Sequence, residues 1–393
     1  MPHDRRVVLF VNAAHFVDHM FMLIFVTAVL AMGADFQLGY GELLALSTGA
    51  FIAFGAGSLP AGWLGDRWSR RNMLAVFFIG IGLAAIGVGF ANSPTSLAVT
   101  LALVGLFAAI YHPVGTAMLV AHADGERLGR EIGVNGVWGN VGVAMAALIT
   151  GGLVELAGWR AAFIVPGCAV IGLGVVYLWL VADRPAPAKA RGGAGADLPV
   201  GVIMRVFSVL AVVAVTGGVV FNAVGISLPK LFEERIDVLA ATPGWVGAAA
   251  AVVYLAGAVA QLIVGRLIDR FSLKTVFVAL SALQAPCLLA AAYARDLPLA
   301  LAAAGIMFAV FGQVTINDAM VAHYTRDVWR ARAYALRYLV SFGASAAAVP
   351  LVAYLHGSGQ GFTTTYAVMA AFGAAVFLGA LCFPGRRSAL VAA

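Results

Sequence analysis

The chain has 393 residues, of which 62% are hydrophobic and only 11% are charged, and its mean hydropathy is +0.97. About 25% of the residues of a soluble domain are charged, so this composition excludes a soluble enzyme or binding domain and indicates a protein that lies in a lipid bilayer. The net charge of +6 is not concentrated in a basic patch with interleaved aromatic residues. No nucleic-acid partner is therefore expected.

Twelve apolar runs are long enough to cross a bilayer as helices, which takes about 20 residues each. We number these predicted spans 1 to 12; they cover residues 7–31, 43–65, 73–91, 96–120, 131–154, 161–182, 202–229, 244–265, 275–293, 297–322, 333–355 and 362–384. Between spans 6 and 7, residues 183–200 are rich in Pro, Gly, Ala and charge, which is typical of a flexible linker. The predicted fold is an all-α membrane protein with two pseudo-symmetric six-helix bundles, residues 1–182 and 201–393.

A ten-residue string supports the division into two halves. The sequence GWLGDRWSRR at 62–71 returns as GRLIDRFSLK at 265–274, 203 residues later, and each copy follows the charged end of an apolar run. A repeat at about half the chain length predicts a tandem duplication of one membrane unit, a symmetry that many secondary transporters share.

The distribution of basic residues predicts the orientation in the membrane. With the N-terminus inside, all but four of the 24 lysines and arginines fall on the cytoplasmic side, the exceptions being Arg160, Lys230, Arg235 and Arg295. This positive-inside bias places both termini in the cytoplasm. A multi-pass protein of a bacterial inner (plasma) membrane is expected.

The two strings resemble the GxxxDRxxRR-type signature between helices 2 and 3 of major facilitator superfamily transporters, with its weaker echo between helices 8 and 9. Gly158-Trp159-Arg160, which opens span 6, is also common in that superfamily. The resemblance implies alternating access by two bundles that rock about a midplane site. It also implies that the signature holds the cytoplasmic side shut by contacting the start of span 11. The residues assigned to this gate are Gly62, Asp66, Arg67, Arg70, Arg71, Asp269 and Arg270.

The gate assignment has a physical basis and an alternative. Gly62 and Gly65 would let two helices approach closely. Asp66 lies at a helix end, where its carboxylate can meet nearby arginines and the positive dipole of another helix. The alternative is a plain anchor loop that only fixes the topology, but the charge bias alone would not explain the glycine spacing.

Polar groups at membrane depth are costly and usually serve a transport pathway. They concentrate on spans 1, 4, 7 and 10, which line the central cavity in the resembled superfamily. On span 1, His15, Asp18 and His19 share one helical face. The residues predicted to surround the substrate are Asn12, Met22, Tyr111, His112, Asn222, Gln313, Asn317 and Arg337.

Three structural interpretations of these groups stay open. The span 1 cluster could be a set of polar side chains that only satisfy one another's hydrogen bonds between helices. His112 could mark only a hinge, because Pro113 removes a backbone donor from span 4. Asp318 could form a structural pair with Arg337 on span 11.

The leading functional prediction is proton-coupled export of a small polar or amphipathic compound. Histidine changes charge in the physiological pH range, so Asp18 with His15 or His19 is the predicted proton-coupling group, and Asp318 is a further candidate. Ile110-Tyr111-His112-Pro113, the GNxG of 139–142 and His15 together resemble the fosmidomycin-resistance branch of efflux transporters. Val114 departs from that branch, which tends to carry an acidic residue after His-Pro.

Two alternatives come from other functional classes. A transition-metal or metal-complex transporter is suggested by the imidazoles, the carboxylate and Met22 of span 1. A membrane receptor on the same scaffold is more remote. No nucleophile motif or phosphate-binding loop is recognisable, so we expect neither enzymatic activity nor a cofactor or resident metal. The expected form is a monomer that binds protons and a small-molecule substrate within the lipid bilayer.

Overall fold

The computed structural model describes residues 3–122, 128–183, 200–239, 242–324 and 327–384; within these ranges the side chains of 128–129, 200, 322–323, 327–339 and 342 are not described. Nearly all of the described residues are helical. Most of the predicted linker, 184–199, lies outside them, so its flexibility stays a prediction.

Fifteen α-helices follow one another along the described chain. The first nine are α1 His3–Ala28, α2 Gly33–Phe36, α3 Tyr40–Leu46, α4 Thr48–Arg67, α5 Arg70–Gly89, α6 Pro94–Ala108, α7 Tyr111–His122, α8 Leu128–Ala157 and α9 Trp159–Leu180. The remaining six are α10 Val200–Arg235, α11 Pro243–Arg270, α12 Leu273–Tyr293, α13 Asp296–Tyr324, α14 Asp327–Leu355 and α15 Gly361–Cys382.

The helices confirm the all-α membrane fold. In the described part of the chain, 11 helical segments are long and apolar enough to cross a membrane. The last of them, Gly343–Cys382, runs through a π-helical turn at His356–Gln360 and combines parts of predicted spans 11 and 12. Two other spans are broken: span 2 is α3 plus α4, and span 4 is α6 plus α7.

The break in span 4 has a local cause. Pro113 has no N–H to donate to the Ala109 carbonyl, and α6 ends at Ala108 while α7 begins at Tyr111. The kink predicted from Pro113 is therefore a helix break, and it places Tyr111 and His112 in the first turn of α7.

The chain divides into two compact units. The first comprises Met1–Ala190 with Phe232–Glu234 and Val238–Val252, and the second comprises Arg191–Leu231, Arg235–Asp237 and Val253–Ala393. The predicted domain limits at 182 and 201 stay predictions.

Equivalent helices pack in equivalent ways within each unit. In the first, α5 packs along α9, and in the second, α12 packs along α15. Glycine permits close approach between the first and fifth spans of each half, on α8 in the first half and on α10 in the second. A Cβ atom at Gly142 of α8 would lie 2.3 Å from the Phe16 carbonyl oxygen of α1. A Cβ atom at Gly218 of α10 would lie 2.9 Å from the Ser341 carbonyl oxygen of α14. Any larger residue would force these helix pairs apart.

The repeated string makes the same helix-end contacts in both units. Ser69 and Ser272 cap the N-termini of α5 and α12 with their hydroxyl oxygens, which satisfies backbone donors that have no partner within the helix. Arg71 donates to carbonyl oxygens at the end of α9, and Lys274 donates to one at the end of α15. The duplicated string therefore ties each third helix to the sixth of its unit.

Candidate functional site

The polar face of α1 is buried inside the first unit. Asp18 is 0% exposed, Asn12 is buried, and His15 and His19 are half-buried. The prediction placed His15, Asp18 and His19 on one face, and the structure adds that α7 and α8 pack directly against α1.

His15 is oriented by the backbone of α8. Its Nδ1 lies 2.7 Å from the Asn135 carbonyl oxygen. A carbonyl only accepts, so Nδ1 carries the proton and donates it. In the neutral ring Nε2 is then an acceptor, and it lies 3.1 Å from Nε2 of His19, which must donate. His19 therefore donates the hydrogen bond between the two imidazoles, and His15 accepts it.

Asn135 connects three helices, and the sequence reasoning missed it. Its side-chain oxygen accepts from the Tyr111 hydroxyl at 2.9 Å, and its amide nitrogen donates to the Asn12 side-chain oxygen at 2.9 Å. Predicted residues Asn12 and Tyr111 are therefore fixed by Asn135. The available signal was an amide at membrane depth in the glycine-rich span 5.

Asp18 faces His112 across the α1–α7 contact. Nε2 of His112 lies 3.4 Å from Oδ2 of Asp18, and within the described residues neither Asp18 oxygen accepts a hydrogen bond. An ionised carboxylate taken out of water without hydrogen bonds is strongly disfavoured unless a cation is paired with it. Burial of this pair is therefore favourable only when a positive charge, such as that of an added proton, balances the carboxylate.

The imidazoles of His15, His19 and His112 form one compact group. Ring centroids are 4.9 Å apart for His15 and His19, 5.6 Å for His15 and His112, and 5.8 Å for His19 and His112. The His15 ring also stacks on Tyr111, with centroids 4.7 Å apart. A Cβ atom at Gly139 would lie 2.6 Å from Nε2 of His15, so only glycine at this position of α8 leaves room for the imidazole.

The same three histidines could share a metal ion. Each offers one ring nitrogen, and these nitrogens lie within 4.8 Å of one another. Imidazole suits zinc, copper, iron and nickel. Met22, the other predicted soft donor, borders an apolar crevice that is also lined by Phe25, Phe51 and Val104.

The predicted polar residues of the second unit are mainly amides. Asn222 donates from Nδ2 to the Ser345 carbonyl oxygen at 2.6 Å. Gln313 donates from Nε2 to Oε1 of Gln284 at 2.9 Å, and both glutamines are buried. Gln284, on α12, is a second residue that the sequence reasoning missed.

Further along α13, Asn317 keeps a buried Oδ1 that accepts no hydrogen bond within the described residues. Asp318 is half-buried. The Arg337 side chain lies outside the described side chains, so its predicted pairing with Asp318 stays a prediction.

The glycines of the first signature copy lie close to α7, a helix that the close-approach argument did not name. A Cβ atom at Gly62 would lie 3.1 Å from Cβ of Pro113, and one at Gly65 would lie 2.9 Å from Cγ2 of Val114. The string therefore fixes the position of the same helix that carries His112.

The charges of the two signature copies differ in their surroundings. Asp66 accepts from Arg70 at 2.7 Å, and its side chain is 66% exposed. Arg67 lies over the Trp63 ring, 5.1 Å from its centroid. In the second copy Asp269 and Arg270 are exposed, and Leu273 stands where the first copy has Arg70. The contact of Asp66 with the start of span 11 stays a prediction.

The sequence matches the family model of the Major Facilitator Superfamily over residues 11–253 and 235–392. The chain belongs to this superfamily. Its fold is that of a Major Facilitator Superfamily protein, which confirms the prediction at the level of the superfamily.

Curated relatives match over part of their length. The puromycin resistance protein pur8 of Streptomyces alboniger is 34% identical over 152 residues, which is 38% of this chain and 29% of the relative. The membrane sensor protein UhpC of Salmonella typhimurium is 32% identical over 145 residues, 36% of this chain and 32% of the relative. The matched part thus spans about a third of these relatives.

The fold also matches solved structures. A bacterial homologue of the human lysosomal transporter Spinster, in an inward-facing and unoccupied conformation, superposes with a TM-score of 0.78 and 15% identity, covering 98% of each chain. At this identity the likeness concerns the fold alone.

Proposed function

We propose that the protein is a proton-coupled secondary transporter that exports a small polar or amphipathic compound from the cytoplasm by alternating access. The observation that carries the proposal is the buried Asp18 carboxylate, which faces His112 at 3.4 Å and has no hydrogen-bond donor within the described residues. A transporter that uses a proton gradient needs such a group, whose charge changes when a proton binds.

Proton binding changes the buried charge of the first unit. With Asp18 ionised and the histidines neutral, the cluster carries one negative charge. One added proton gives either an ion pair with His112 or a neutral carboxyl group, and the net charge falls to zero in both cases. Closing a neutral cluster off from water costs less free energy than closing off a charged one. Proton binding therefore favours occlusion, and proton release favours reopening.

His15 and His19 supply the connection to this pair. Their shared proton lies between two Nε2 atoms 3.1 Å apart, and both rings contact His112. An imidazole can accept a proton on one ring nitrogen and donate the proton that the other carries. In this mechanism the two rings relay the proton while Asp18 holds the charge, and Asp318 is the second candidate carboxylate.

The direction of transport and the class of cargo are proposed from the relatives. The relatives include the puromycin resistance protein described above and the tetracenomycin C resistance and export protein of Streptomyces glaucescens, which is 29% identical over 154 residues. The proposal puts residues 66–71 on the cytoplasmic side, as the positive-inside bias predicts. The fosmidomycin-resistance branch stays a resemblance, since Val114 replaces its acidic residue.

The proposal is tested in reconstituted vesicles with an imposed pH gradient and puromycin as the probe. The wild-type chain should accumulate puromycin against its concentration gradient. Asp18→Asn keeps the shape of the side chain but removes the charge, so uphill transport should be lost while downhill exchange is retained. Unchanged gradient-driven uptake in Asp18→Asn, His15→Gln and His19→Gln would remove the cluster from the mechanism.

Two other functions have a specific observation behind them and are separated by the same vesicles. The three close imidazoles favour a transition-metal cargo, which predicts zinc uptake that a chelator abolishes and puromycin does not inhibit. The relative named a membrane sensor favours a receptor on this scaffold. A receptor would bind a compound without any net flux of that compound or of protons.

A further inference from the structure

A second group of side chains with the ligand types that metal ions use lies in the first unit, at the beginning of α1. His3 and Asp4 are in the first turn of α1, and His122 is the last residue of α7. One ligand atom from each of the three lies within 4.8 Å of the others. The imidazole rings of His3 and His122 meet edge to face, with centroids 6.0 Å apart.

We propose that His3, Asp4 and His122 bind a late first-row divalent metal ion, of the zinc, cobalt or nickel type. Two imidazoles and one carboxylate form a mixed nitrogen and oxygen set that these ions accept. The carboxylate also supplies a negative charge for the cation. The site is independent of the proton-coupling cluster, because His3 precedes His15 by twelve residues, about 18 Å along a helix.

The orientation of His122 supports a ligand role. Its Nδ1 lies 3.0 Å from the Met118 carbonyl oxygen, and because a carbonyl only accepts, Nδ1 donates. This hydrogen bond leaves Nε2 as the unprotonated nitrogen. A backbone carbonyl that holds one nitrogen of a histidine while the other binds the ion is the usual arrangement around metal-ligating histidines.

The surroundings leave room for the ion and its remaining ligands. His3 and His122 line an open cavity of about 470 Å³, whose wall also includes Asp66, Ser69 and Arg70 of the first signature copy. Metal–nitrogen bonds are about 2.0–2.1 Å long, so the three side chains must close in around the ion. They belong to a first and a last helical turn and can do so by side-chain rotation, while water fills the open positions.

A bound ion would cross-link the beginning of α1 to the end of α7. These are the two helices that carry Asp18 and His112, and the cross-link would lie beside the first signature copy. The site would therefore stabilise this end of the first unit whenever the metal is available.

The test uses the purified full chain without a histidine tag, titrated with Co²⁺ while its visible absorption and bound stoichiometry are measured. We expect one ion per chain at this site, with binding at least tenfold weaker in His3→Gln, Asp4→Asn and His122→Gln. His356→Gln, which changes a histidine of the second unit, is the matched control and should bind like the wild type. Unchanged binding in His122→Gln would overturn the proposal.

Two further measurements keep the test decisive. His15→Gln separates this site from the central imidazoles: if it abolishes all Co²⁺ binding and His122→Gln does not, the ion belongs to the central cluster and the proposal is wrong. If a variant fails to fold, Zn²⁺ protection of His3 and His122 from histidine-specific acylation is measured on the unmodified protein. Protection of both supports the site, and equal labelling with and without Zn²⁺ overturns it.

Discussion

The two units share their helix-end contacts but differ inside. Arg71 and Lys274 make equivalent contacts with the last helix of their unit. Among the described residues, however, the buried polar side chains of the first unit include the Asp18 carboxylate, whereas those of the second are amides and hydroxyls such as Gln284 and Gln313. The two units thus resemble each other in the contacts that position the helices and differ in the chemistry of their buried polar groups.

The difference suggests how the two halves divide the work. A group of histidines around a carboxylate can change its charge, and amides cannot. The first unit is therefore suited to coupling transport to protons. The buried amide pair Gln284 and Gln313 of the second unit is suited to hydrogen bonding that does not depend on pH.

The largest effect is expected at Gly139, which makes room for the His15 ring. Gly139→Leu should displace the imidazole of His15 and break its alignment with His19. We expect pH-driven transport to fall about tenfold or more, which is the size of effect that coupling between two sites typically has. Gly152→Leu, on the same helix α8, is the matched control, because a Cβ atom at Gly152 would meet nothing within 4 Å. Equal transport by both variants would mean that the position of His15 does not matter for coupling.

The second prediction compares the two signature copies. Asp66→Asn removes the partner of Arg70, and we expect a shift toward the inward-open state and strongly reduced transport. Asp269→Asn should have a smaller effect, because Leu273 leaves the second copy without the equivalent arginine pair. Both variants should fold, since an exposed ion pair contributes only about 0.2–1 kcal/mol. Normal transport by Asp66→Asn would leave the string as a topology anchor.

The sequence predicts the membrane helices well, because hydropathy is a local property of each segment. It also predicts a close helix approach at Gly62 and Gly65 and a kink at Pro113, which follow from the chemistry of single residues, but not which helix the glycines meet. The pairing of Asp18 with His112 could not be derived, since it depends on how α1 packs against α7. Asn135 and Gln284 were missed for the same reason: an amide in an apolar run does not reveal which helix it faces.

The third prediction concerns the glutamine pair of the second unit. Gln313→Leu leaves the buried Gln284 amide without its partner, and an unsatisfied buried polar group costs about 1–3 kcal/mol. The thermal unfolding midpoint in detergent should fall. The double variant Gln284→Leu/Gln313→Leu should recover part of that loss, while the pH dependence of transport should not change in either. A changed pH profile would give the second unit a part in coupling.

The smallest effect is expected at Asp35, an exposed carboxylate of the first unit that contrasts with the buried Asp18. Hydrogen bonds from the Arg160 guanidinium and the Trp159 indole hold the pKa of Asp35 below its ordinary value of 3.8. A depressed folded-state pKa means that the ionised side chain stabilises the fold above 3.8, and that this contribution is lost as the pH falls through the folded value. Asp35→Asn should therefore lower the unfolding midpoint slightly at neutral pH, and the difference from wild type should shrink in acid. The double variant Asp35→Asn/Arg160→Gln should add little to the single one, because both changes remove the same pair. A difference that persists unchanged in acid would show that the charge of Asp35 does not stabilise this end of the unit.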